Sequence, residues 1–171
     1  MSLLVLVAVS LALGFLLILL AGRGQRTSPA APGAAPQEGL AELAWIRSAG
    51  GEGFQRLLVS LFGEMGFEAE PGAPGSETVE FLAVNPAPIR GGRVLVHGAL
   101  AAALVDGDAV RTLLDTARAE SAGRAVLVSL GRFSDDAREA ARDAPVDLID
   151  GDDLAALVKK HLPQAWATRT L

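Results

Sequence analysis

The chain has 171 residues, half of them hydrophobic, with no cysteine, no tyrosine and a formal charge of −5. That length holds one ordinary domain of about 100 to 150 residues plus an appendage, and the missing cysteine excludes disulfides, lipid-modified cysteine and thiolate metal sites. Residues 41 to 171 carry 11 Arg and 2 Lys against 19 Asp and Glu, which excludes a broadly basic surface, so an anionic partner must be approached through a local basic patch.

The appendage comes first. Leu3 to Ala21 reads LLVLVAVSLALGFLLILLA, 19 residues without a charge, and as a helix it is roughly 28 Å long, enough to cross a bilayer. A signal peptide normally opens with a basic stretch, and only Met1 and Ser2 precede this run, so residues 3–21 are expected to be a transmembrane anchor. Arg23 and Arg26 follow at once; by the positive-inside rule the anchor is single-pass in the inner (cytoplasmic) membrane, with everything after it cytoplasmic. Residues 22–39, rich in Ala, Pro, Gly, Ser and Gln, offer little to bury and read as a flexible linker.

Residues 40–171 form the expected domain. Leu40 to Ile46 reads as a short helix in which Trp45 is either an anchor at the membrane surface or, more commonly in such segments, a packed residue of the domain edge. Phe54, Leu57, Leu58, Leu61, Phe62 and Met65 make one apolar helical face, and Gly66 is suited to end that helix. Strands are predicted near Phe67 to Glu70, Thr78 to Val84, Arg93 to His97, Ala125 to Ser129 and Val146 to Ile149. Asp108 to Glu120 and a segment capped by Ser134 and running through Arg142 read as helices, and a last helix starts near Asp150 with Asp152 and Asp153 at its positive end and Lys159, Lys160 and His161 at its negative end. The order, a helix, three strands, then alternating helices and strands, predicts an α/β sandwich with a central mixed sheet flanked by helices.

Several short motifs recur in a familiar order. Ala125 to Ser129 is followed by Gly131-Arg132-Phe133-Ser134 with Ala137, and then by Val146-Asp147-Leu148-Ile149-Asp150-Gly151-Asp152-Asp153-Leu154. Upstream stand Gly53-Phe54-Gln55 and the turn from Gly63 to Phe67. Together, over roughly residues 50 to 162, they resemble the Mrr-type restriction endonuclease domain, a branch of the PD-(D/E)xK nuclease fold. The resemblance implies a restriction-endonuclease-like sandwich behind one N-terminal transmembrane helix.

It also implies where hydrolytic chemistry would sit. Glu80 falls at the family's strand acid, His97 at its Gln or Glu, Ala99 at its lysine and Gln55 at its helix acid. Metal-dependent phosphodiester hydrolysis needs carboxylates for Mg²⁺ and, in this fold, a lysine to position water and offset charge. Alanine does neither, and the only lysines in the chain are Lys159 and Lys160. The domain is therefore expected to be inactive; no cofactor is expected, and Mg²⁺ enters only if nuclease activity is retained, with Glu80 and Glu77 as metal candidates. Glu80 and His97 are the weak catalytic candidates, although a lone histidine at a strand end is more often a hydrogen-bonded structural residue.

For phosphate contact the candidates are Arg90 and Arg93, which flank Gly91-Gly92 in a turn whose amides can face an anion. Arg47, Arg56, Arg111, Arg118 and Arg132 can extend such a surface, but scattered arginines more often serve solvation. The readings that follow are a membrane-anchored, inactive Mrr-like domain with residual DNA binding; a protein-interaction scaffold without nucleic-acid function; and a metal-dependent endonuclease with a rerouted site. The partners implied are the membrane through residues 3–21, DNA, or another protein, and no small-molecule substrate is indicated.

Overall fold

A computed structural model describes residues 42–73, 75–88, 91–101 and 103–170. The predicted anchor at 3–21, the linker at 22–39 and Arg90 lie outside the described residues. Among the described residues no helix is long and apolar enough to cross a membrane.

The elements are α1 (Ala44–Ser48), α2 (Gly50–Glu64), β1 (Glu68–Glu70), β2 (Thr78–Asn85), β3 (Gly92–Ala99), α3 (Gly107–Ala119), β4 (Arg124–Ser129), α4 (Asp135–Ala141), β5 (Val146–Ile149), α5 (Gly151–His161) and α6 (Pro163–Thr168). Five strands form one mixed sheet in the order β1-β2-β3-β4-β5. The first three are antiparallel, and β3, β4 and β5 run parallel. Parallel neighbours require a crossover, and α3 and α4 supply the two.

Alternation along the strands sends neighbouring side chains to opposite faces. Val79, Phe81, Val96 and Val128 pack with Phe54, Leu57, Leu58 and Leu61 of α2 and with Leu154 and Val158 of α5. Leu95, Ala125 and Leu127 pack on the other face with Val110, Leu113 and Leu114 of α3 and Ala137 of α4. Gly98 is where α2 comes closest: a Cβ there would lie 2.7 Å from Phe54 and 2.8 Å from Leu58 and Val79.

Helix boundaries follow from local chemistry. Gly66 takes φ +87, and the Phe67 N–H reaches back to the Phe62 carbonyl at 2.9 Å, closing α2 in a Schellman-type turn. Asp106, Ser134 and Asp150 cap α3, α4 and α5 by accepting from the N–H groups of Ala109, Ala137 and Asp153. The strands match the predicted ones to within two residues at either end, and α5 carries its acids and bases at the ends expected. The chain then breaks at Leu162, and Pro163 opens α6, an element the sequence reading did not contain. Trp45 is half-buried and meets the Trp166 ring edge-on at 6.4 Å, the packed arrangement.

Candidate functional site

Pairing of β2 with β3 sets Glu80 directly opposite His97. Both side chains lie on the α3 face of the sheet, because their neighbours Val79, Phe81, Val96 and Gly98 turn to α2. His97 Nδ1 lies 3.2 Å from Glu80 Oε2, with the side chains 30% and 47% exposed. Against a carboxylate, which only accepts, that ring nitrogen is the donor. Such an exposed pair is worth about 0 to 1 kcal/mol; it fixes an orientation more than it stabilises the fold.

Two residues beyond His97, Ala99 lies on the same face. It lines a groove of about 420 Å³ with Glu80 and His97 on one side and Leu104, Asp106, Thr112 and Thr116 on the other. The opposite wall comes from α3 and the segment before it. Position of that wall depends on Asp136, whose carboxylate accepts from the Gly107 N–H at 2.8 Å and from the Ser134 hydroxyl. The Ser134 hydroxyl first, and the Gly107 N–H after it, hold the Asp136 carboxyl below the usual carboxylate value. At the start of α5, burial and then the neighbouring Asp150 charge push the Asp153 carboxyl up.

The other predicted site residues lie apart from this groove. Glu77 precedes β2; its carbonyl accepts from the Leu100 N–H at 2.8 Å and its side chain is exposed. Gln55 is buried on α2, where its Nε2 donates to the Gly72 carbonyl at 2.6 Å. It borders a different groove, of about 540 Å³, between α2, Pro71-Gly72 and the α6 region. Arg93 stands exposed at the start of β3. It is four residues before His97 on the same face, roughly 13 Å away, and borders a third cavity with Arg124 and Asp147, themselves paired at 2.7 Å. Arg111, Arg118 and Arg132 pair with Asp108, Asp115 and Asp152.

This donor set does not fit Mg²⁺. That ion demands several hard oxygen ligands in octahedral array, whereas the groove offers two carboxylates on opposite walls, Glu80 turned to an imidazole and Asp106 accepting from the Ala109 N–H, and Ala99 contributes none. Among the described residues no three His, Asp or Glu side chains are grouped to hold a metal. Neither lysine lies at this groove: α5 packs on the opposite face of the sheet, and Lys159 Nζ is held there by Glu42 at 3.0 Å and by the Trp166 ring at 4.5 Å.

The family model Mrr_cat, a restriction endonuclease domain, matches residues 46–158. The chain belongs to that restriction endonuclease family. Among solved structures it is similar to the DNA modification-dependent restriction endonuclease AspBHI, at 18% identity and a TM-score of 0.55 over 84% of this chain and 42% of that one. It is also similar to the MspJI restriction endonuclease in complex with a 27-mer oligonucleotide, at 22% identity and a TM-score of 0.44 over 78% of this chain and 32% of that one. The chain thus spans well under half the length of either protein, and the AspBHI likeness is one of fold. No curated protein matches the chain. The sequence reading missed Leu104, Asp106, Thr112 and Thr116 as groove residues; the cap pattern at Asp106 was the one local signal, and nothing in it announced a position opposite Glu80.

Proposed function

We propose that this is a membrane-tethered restriction-endonuclease-fold domain that has lost phosphodiester hydrolysis and keeps a weak, salt-sensitive affinity for duplex DNA. The observation that carries it is Ala99: the groove that collects Glu80 and His97 holds a methyl group where the family chemistry needs an ammonium. Family membership supports the DNA affinity, as does Arg93, exposed on the same sheet face and in no ion pair among the described residues, the neighbouring Asp147 being paired with Arg124. The tether rests on the uncharged run from Leu3 to Ala21.

The test is fluorescence anisotropy of labelled duplex DNA against the full chain in nanodiscs over a salt series, beside a plasmid-nicking assay with Mg²⁺ and Mn²⁺. Binding that weakens steadily with salt, without nicking, is the expected result. Nicking that disappears in Glu80→Ala would replace this reading with that of a rerouted nuclease. A scaffold without nucleic-acid function is the second reading, favoured by the surplus of acids and by seven cations, Arg111, Arg118, Arg124, Arg132, Arg138, Arg142 and Lys159, held in ion pairs. Absence of DNA binding at low salt selects it.

A further inference from the structure

Charge is distributed unevenly over the domain. Residues 49–155 hold 9 Arg against 18 Asp and Glu, whereas residues 156–171 hold Lys159, Lys160 and Arg169 and no acid at all. That basic tail folds back onto the first described residues. Lys159 Nζ binds the Glu42 carboxylate at 3.0 Å and the Arg169 guanidinium reaches the Glu42 carbonyl at 3.4 Å. Both of the chain's tryptophans are there: Arg169 stacks on Trp166 at 4.0 Å and lies 6.0 Å from Trp45. The Trp45 Nε1–H is buried with no acceptor among the described residues.

Arg47 on α1, Lys160 on α5 and Arg169 after α6 are exposed and make no ion pair among the described residues. Arg56 is likewise exposed and in no ion pair among the described residues, and it borders the adjoining, mainly apolar groove with Glu52, Leu162 and Ala165. An aromatic pair rimmed by cations, beside an apolar groove, has the composition of a surface that sits at a lipid headgroup layer.

We propose that this corner, formed by α1, the end of α5 and α6, docks the domain onto an anionic phospholipid surface. The proposal rests on the reading of residues 3–21 as an anchor. Only 20 residues separate Ala21 from Glu42, a span of at most roughly 70 Å, so the corner is the part of the domain nearest the bilayer along the chain. Four or five cations bind a membrane weakly by themselves; a tether converts that weak contact into an intramolecular one. The acidic body between residues 49 and 155 is repelled by the same headgroups and turns the basic corner inward. Docking through this corner leaves the Glu80–His97 groove, on the other face of the sheet, open to a partner in solution.

Because both tryptophans lie at the corner and residues 1–41 contain none, intrinsic fluorescence reads docking alone. The full chain is reconstituted in nanodiscs bounded by a tryptophan-free scaffold, whose lipids carry bromine near the head of the acyl chains, with phosphatidylglycerol or with phosphatidylcholine only. The expected result is loss of tryptophan emission in the phosphatidylglycerol discs, restored by high salt and absent in phosphatidylcholine. Lys160→Glu with Arg169→Glu abolishes the loss while the chain stays incorporated and its far-UV circular dichroism is unchanged. A chain that incorporates but shows no quenching in either disc overturns docking and leaves the anchor standing. Failure to incorporate overturns the anchor, and absence of quenching by added brominated phosphatidylglycerol vesicles then overturns docking as well. Quenching retained in the double variant also overturns it.

Discussion

On one face of the sheet, α2 and α5 bury Phe54, Leu57, Leu58 and Leu154 to 1% exposure or less against Val79, Val96 and Val128. On the other, α3 and α4 cover β4 closely but stand off from the ends of β2 and β3, where Glu80, His97 and Ala99 line an open groove. The two faces share the same strands, one residue apart. The packed face fixes the fold through close contact in which each methylene is felt, whereas side chains at a groove wall can change chemistry with little effect on stability. That division lets the chain keep its fold whichever side chains stand at the groove wall.

The comparison is broken most severely by Phe54→Ala, expected to cost about 3 to 5 kcal/mol, against a change within about 0.5 kcal/mol for Leu104→Ala on the groove rim; paired urea denaturation curves measure both. Gly98→Ala comes next. Its new methyl meets Phe54, Leu58 and Val79 at 2.7 to 2.8 Å, an overpacking cost of about 1 to 3 kcal/mol, read from the thermal midpoint. One residue on, the groove-facing double variant His97→Glu with Ala99→Lys sets a second carboxylate directly opposite Glu80, a like-charge pair that an ion can bridge. Mn²⁺ is expected to raise the thermal midpoint of that variant and to leave the native chain's unchanged.

Asp136 sharpens the groove side of the comparison through pH. Its carboxyl is held low by Ser134 and the Gly107 N–H, so the folded state binds fewer protons than the unfolded state between the two pKa values. Its contribution to stability is therefore complete above the ordinary carboxylate value and is lost as pH falls through the lowered one. Asp136→Asn is expected to lower the thermal midpoint at pH 7, with the gap to the native chain closing in acid. The smallest expected effect is that of Glu80→Gln, within about 1 kcal/mol because the pair with His97 is exposed.

Strand and helix positions were legible because alternation, β-branched runs and the caps at Ser134 and Asp150 are local signals. Placement of Glu80 beside His97 was legible too, since an antiparallel pair with a short connection has its register set by the buried alternation of Val79, Phe81, Val94 and Val96. The α6 helix was not: Pro163 can end a helix or begin one, and its packing on Trp45 joins residues some 120 positions apart. Gln55 shows the same limit, because its amide is satisfied by Gly72 across a loop whose path no periodicity records.

The sequence by itself determined the sandwich and the family, because both are written in residue identity and short-range pattern. Only the tertiary structure decided that neither remaining lysine can reach the groove, that α3 closes its far wall, and that the basic tail, Glu42 and both tryptophans form one corner. Those facts depend on which face of the sheet each crossover covers and on contacts between distant segments, where the interaction is made by packing and leaves no local trace in the chain.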